Sequence, residues 1–232
     1  MIKERKMFTR LTSIALILFF AFNAKSQVSL NLGLGPLKGF GVPKSFFGFH
    51  GGVELPRNND VTFYLRLGYY LPKKEEQNNT ANVTAIDLTT SPYNLSVNYL
   101  TSTNYTTMEG GTRYYLGNDY DNGFSIYGGS NFMLILNSVK RNYEKYDLTG
   151  QYNWENDYEL PESEEVKGTI ISVALGLQGG VKYTIPARGT IYADITGSYA
   201  LFAKASNNTA ANSNLYAPMI FIFNVGYRKD LY

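Results

Sequence analysis

The chain of 232 residues contains no cysteine. That excludes disulfide staples, thiolate metal sites and cysteine nucleophiles, and with them a lipidated N-terminal cysteine. Histidine occurs once, at His50, and tryptophan once, at Trp154, so an imidazole-rich metal centre is excluded too. Charged residues are sparse, at 17 %, where an average soluble domain carries about 25 %. No basic stripe suited to nucleic acid is present. Beyond residue 26 no apolar run reaches the ~20 residues that a membrane-crossing helix needs.

The first 26 residues read as a secretory signal peptide. Lys3, Arg5 and Lys6 form a basic start, Leu11 to Phe22 an apolar run, and Ala24-Lys25-Ser26 a small-x-small cleavage site before Gln27. This segment carries five of the basic residues and one acidic residue. Removing it turns the formal charge of +2 into 16 basic against 18 acidic residues, or −2. The expected organisation is a signal peptide over 1–26 and one domain over 27–232.

What the chain has in quantity is aromatic residues, 20 Tyr and 14 Phe, and long runs of strict alternation. The clearest run is Thr169 to Phe202. Ile171, Val173, Leu175, Leu177, Val181 and Tyr183 share one parity, and Ser172, Gly176, Gln178 and Lys182 the other. After a turn, Ile191, Ala193, Ile195, Tyr199 and Leu201 alternate with Tyr192, Asp194, Thr196 and Ser198. Period two over this length is a strand signal. These strands are about twice the usual globular length and match tilted strands that cross a bilayer. Ala187-Arg188-Gly189 suits a three-residue hairpin loop. Pairing Pro186 with Thr190 then sets Lys182 opposite Asp194.

Six further strands follow the same rule: Val28–Leu34, Phe46–Leu55, Val61–Leu71, Thr106–Leu116, Phe124–Leu136 and Pro218–Arg228. Met133 is an apolar exception on its polar face. The connections alternate between long (35–45, 72–105, 137–168, 203–217) and short. Within the first of the two longest, Asn94 to Tyr99 reads as a strand extension beyond the membrane. Open sheet edges cannot be satisfied in lipid, so the strands must close. The expectation is an all-β fold, an eight-stranded antiparallel up-and-down transmembrane β-barrel with short periplasmic turns and long extracellular loops.

Alternation alone leaves open which face is outside, because a soluble barrel has the same period with the faces exchanged. Glu54, Arg66, Glu109, Arg113, Lys182, Asp194 and Arg228 all lie on one parity. On a water-exposed face they would be too few; in a lumen they can pair. Aromatic residues on the apolar parity cluster near both strand ends, as two interfacial girdles do. Both features point the charged parity inward.

The segments Gly111-Thr112-Arg113-Tyr114-Tyr115-Leu116, Gly176-Leu177-Gln178-Gly179-Gly180-Val181-Lys182-Tyr183 and Phe223-Asn224-Val225-Gly226-Tyr227-Arg228 give the chain its family likeness. It resembles the small eight-stranded outer-membrane barrels of Gram-negative bacteria, of the OmpA-barrel, OmpX and OmpW type. The resemblance implies residence in the outer membrane with both termini periplasmic. It implies contact with outer-membrane lipid and lipopolysaccharide, and insertion by the barrel-assembly machinery. That machinery reads a C-terminal aromatic residue, here Tyr227 or Tyr232. No cofactor is implied.

Three features are candidates for function. The lumen charges Glu54, Arg66, Arg113, Lys182 and Asp194 form either a salt-bridged plug or a polar path for a small solute; an eight-stranded barrel is just wide enough for side chains to fill. His50 is either a hydrogen-bonded lumen residue or, as in some small barrels that act on lipid A or peptides, part of a rim active site. The acidic run Glu155, Asp157, Glu159, Glu162, Glu164 and Glu165, beside Tyr152, Trp154 and Tyr158, is a solvated loop, a cation site or a docking surface for protein partners. The leading reading is a non-enzymatic barrel with a structural or interaction role, such as a subunit of a larger envelope assembly. A narrow transporter or channel for small solutes is the alternative.

Overall fold

The structure is a computed structural model describing residues 28–75, 79–160, 166–211 and 215–231. The expected signal peptide, Tyr232 and the acidic residues Glu162, Glu164 and Glu165 lie outside the described residues. The strands are β1 (Val28–Gly39), β2 (Ser45–Pro56), β3 (Val61–Lys74), β4 (Asn79–Ala85), β5 (Asn94–Leu116), β6 (Phe124–Asp147), β7 (Tyr158–Glu159), β8 (Lys167–Ile185), β9 (Gly189–Ala205) and β10 (Met219–Leu231).

Eight of them form a closed antiparallel ring in the order β3, β2, β1, β10, β9, β8, β6, β5, with β5 returning to β3. First and last barrel strands are zipped from Val28 opposite Leu231 to Gly39 opposite Ile220. The β3–β5 seam runs from Val61 opposite Tyr114 to Lys74 opposite Ser102. The described residues contain no helix long and apolar enough to cross a membrane; the crossing elements are strands.

The faces sort by polarity. Leu175, Leu177 and Ile195 are 50 %, 72 % and 53 % exposed, while Lys182 and Asp194 are each 2 % exposed. A soluble protein could not leave a continuous belt of Leu, Ile and Phe in water. Aliphatic residues hold the middle of the belt. Phe63, Tyr114, Phe124, Tyr183 and Tyr227 sit towards the end bearing the termini, and Phe47, Phe49, Tyr69 and Tyr199 towards the other.

Two features differ from the sequence-based expectation. The long connections are shorter than their polar composition suggests, because polar strands continue beyond the apolar belt. β5 and β6 stay paired out to Val97 opposite Asp147, and β4 adds to the outer half of β5. Thr80, Asn82 and Asn94 face water there, alternating with buried Ala81, Val83, Leu95 and Val97.

The β8–β9 hairpin also closes earlier than expected. Ile185 pairs with Gly189, so Lys182 faces Tyr192 and Asp194 faces Gly180. Pro186 has no N–H for the ladder and enters the turn instead. The Arg188 amide donates to the Ile185 carbonyl at 3.0 Å, and Ala187 takes the left-handed conformation, at φ 62°. A slip of two keeps every side chain on its face but separates Lys182 from Asp194.

A lipid-facing belt makes a direct prediction. Leu177→Arg, near the middle of the apolar run of β8, should destabilise the barrel by about 2–4 kcal/mol in lipid vesicles. Denaturant unfolding measures this, and an unchanged midpoint would place that face in water.

Candidate functional site

The lumen is filled from the terminus-bearing end upward by alternating charges. Asp194 on β9 accepts both terminal nitrogens of Arg66 from β3, at 3.2 and 2.7 Å. It also accepts from Arg113 Nη2 at 3.3 Å, the Tyr127 hydroxyl at 3.1 Å and Asn224 Nδ2 at 2.8 Å. Arg113 turns its other terminal nitrogen to Glu54 Oε2 at 2.7 Å and its Nε to Gln178 Oε1 at 3.0 Å. Glu54 further accepts from Thr62 and Tyr115, at 2.6 and 2.5 Å, and lies 3.5 Å from Arg228 Nη1. Arg228 Nε reaches Asp230 at 3.3 Å. Above, Arg66 lies 3.6 Å from Glu109, which accepts from Tyr64 at 2.6 Å and Asn131 at 2.9 Å.

The result is one column: Glu109, Arg66, Asp194, Arg113, Glu54, Arg228, Asp230. Signs alternate along it. Tyrosine rings pack between the ions; the Arg113 guanidinium lies 4.3 Å from the Tyr64 centroid and 5.0 Å from that of Tyr127. Of the five residues singled out from sequence, Glu54, Arg66, Arg113 and Asp194 meet in this column. Lys182 does not. Its ammonium donates to the carbonyls of Asp119, Asn122 and Gly123 at 2.7, 2.5 and 3.2 Å, fastening the β5–β6 turn across the barrel end.

Above the ions the lumen changes character. Phe46, Tyr105, Met133, Ile135, Ile220 and Ile222 form an apolar layer beneath the far mouth. The connection after β9 folds back over it. A single helical turn, Asn208–Ala211, sets Ala210 against Val139 and Ile170. Leu215 then caps the layer, and the Tyr105 hydroxyl donates to its carbonyl at 2.6 Å. By composition alone 203–217 reads as a polar loop and Met133 as an exception. The available signal is Met133, Ile135, Ile220 and Ile222 sharing the polar parity at one end of the barrel.

His50 is a buried lumen residue whose Nε2 lies 2.8 Å from the Tyr192 hydroxyl. Gly33 makes room for it: a Cβ there would stand 2.6 Å from the imidazole.

Outside the membrane, β4, β7 and the outer halves of β5 and β6 form a sheet flap. Ala81, Val83, Leu95, Val97, Trp154 and Tyr158 make its core. Trp154 and Tyr158, candidate docking anchors by sequence, are therefore internal. Trp154 Nε1 donates to the Glu144 carbonyl, and the Tyr158 hydroxyl to that of Pro92 at 2.7 Å. Glu155 makes an exposed ion pair with Lys145 at 3.3 Å. Among the described residues no group of three metal-ligating side chains converges.

The flap's tip shows apolar residues instead. Leu88 is 90 % exposed, flanked by exposed Ile86 and Tyr93. Asp87 orders this turn by accepting from the amides and hydroxyls of Thr89 and Thr90, at 2.8–2.9 Å. Those bonds, led by the Thr89 hydroxyl, hold its carboxyl below the usual carboxylate range.

The fold is an eight-stranded membrane-spanning barrel. No protein-family model and no curated protein matches the chain. Similar solved structures include the surface protein NspA of Neisseria, at 14 % identity over 88 % of this chain and 95 % of that one, TM-score 0.46. Another is a major outer membrane protein of Thermus thermophilus, at 13 % identity over 89 % and 99 %, TM-score 0.49. A third is Ail, the attachment invasion locus protein of Yersinia pestis, at 13 % identity over 88 % and 97 %, TM-score 0.41.

Replacing one partner of a buried ion pair strands the other. Asp194→Ala should cost about 3–5 kcal/mol in unfolding free energy. A double-mutant cycle between Asp194 and Arg66 should show coupling of about 0.5–3 kcal/mol, and one between Asp194 and Lys182 less than about 0.5 kcal/mol. Equal coupling in both cycles would restore the Lys182–Asp194 pair.

Proposed function

We propose that the protein is a non-enzymatic outer-membrane barrel with a structural or interaction role, a sealed anchor that presents its sheet flap to a partner outside the cell. The packed lumen carries this reading. Each arginine of the column lies between two carboxylates, tyrosines fill the gaps, and the apolar layer under Leu215 closes the far mouth. Such a lumen opposes passage of a hydrated solute, which disfavours the narrow transporter. His50 is engaged with Tyr192 inside the lumen rather than poised at a rim, which disfavours a hydrolase or acyltransferase.

In this reading the signal peptide directs export, both termini are periplasmic, and the barrel-assembly machinery inserts the chain. Ile86, Leu88 and Tyr93 form the contact surface, since an apolar tip held by an ordered turn binds at low entropic cost. The partner is another envelope protein, and the barrel serves as one subunit of that assembly.

Two measurements test this. In planar bilayers the purified protein should show no steady conductance; discrete voltage-independent openings would favour the channel. A photo-crosslinker in place of Leu88 in intact cells should give one discrete adduct, lost in a Tyr93→Ala background. A protein that never forms an adduct would contradict the subunit role.

A further inference from the structure

Strand register brings lysines together where the sequence keeps them far apart. On the outward face, Lys74 of β3 pairs with Ser102 of β5, Ser102 with Lys140 of β6, and Lys140 with Lys167 of β8. The four residues form one row across four strands. Lys204 of β9 lies lower on the same face, opposite Ile171, four residues along β8 from Lys167. Lys44 reaches over from the β1–β2 connection and donates to the Lys74 carbonyl at 2.6 Å.

Lys140 and Lys167 are direct cross-strand partners of like charge, a destabilising arrangement unless an anion lies between them. Among the described residues, no ion pair joins Lys74, Lys140, Lys167 or Lys204 to a carboxylate. Just below the row, Pro72, Asn104, Ser138 and Thr169 line a groove of about 390 Å³ on the barrel's outer wall. The hydroxyls and amide there can donate to phosphate oxygens.

Depth selects the ligand. Four residues below the lysines, Leu136 and Ile171 begin the apolar belt. At strand rise and barrel tilt that is about 10 Å. The row thus stands at the level of the headgroups of the leaflet farther from the termini, and lysine stems can snorkel down the remaining distance. We propose that this row and groove bind the phosphate groups of an outer-leaflet lipid, whose acyl chains lie on the belt below. The inference rests on the outer-membrane reading above.

The test uses the full-length protein in neutral phosphatidylcholine nanodiscs, titrated with diphosphorylated lipid A and followed by native mass spectrometry. Wild type should retain the lipid. Lys140→Gln/Lys167→Gln should lose about fivefold in affinity for each lysine removed, with a shallower salt dependence. Lys229→Gln, at the opposite end, should behave as wild type. Equal retention by the double variant overturns the site, and so does displacement of the lipid by millimolar inorganic pyrophosphate, which would make the row a free-anion site. Protein that inserts into neutral nanodiscs but ignores lipid A overturns the site alone. Protein that fails to insert overturns the barrel reading along with it.

Discussion

A chain in lipid has no water to satisfy its backbone, and this constraint organises the rest of the molecule. Every barrel strand must find a neighbour on both sides, so the sheet closes through β1–β10 and β3–β5. Closure at eight strands fixes the diameter, and the diameter fixes how much the interior holds. Alternation then leaves each strand one greasy face and one polar face. The greasy face meets acyl chains, and the polar residues are committed to a narrow interior.

Within that interior an isolated charge would be costly, so each needs neighbours of opposite sign. Asp194 shows the solution: two guanidinium groups, a phenol and an amide converge on one carboxylate. The same logic explains why the column ends where it does. Above Glu109 there is no further cation in the column, and the lumen continues instead with Met133, Ile135, Ile220 and Ile222. Ionic packing below and apolar packing above make the barrel a solid support for the flap carried on β5 and β6.

Much of this was legible in the sequence, because period two over a dozen residues assigns every side chain to a face. The inward set of Glu54, Arg66, Arg113 and Asp194 followed from parity alone. Which of them touch did not follow, since contacts across the lumen depend on stagger around the ring. Lys182 illustrates the limit: a turn displaced by Pro186 moved it two residues along β9 and left it fastening a different turn. The flap was only partly legible. Asn94 to Tyr99 read as a strand extension, but the alternation of β4 rests on two alanines and one valine among Thr and Asn, the outer half of β6 is rich in Asn, Lys and Glu, and Trp154 is buried by partners distant in sequence. The lysine row was invisible for the same reason, as its members sit on separate strands joined only by register.

The central claim is that apolar side chains face lipid and ions face the lumen. The absence of native cysteine lets single spin labels test it directly. Labels at Leu175→Cys, Leu177→Cys and Ile195→Cys in vesicles should collide with oxygen dissolved in lipid and be shielded from an aqueous nickel complex, whereas labels at Ser172→Cys and Thr196→Cys should be shielded from both. Access of the nickel complex to positions 175, 177 and 195 would contradict the account and make the protein a soluble one.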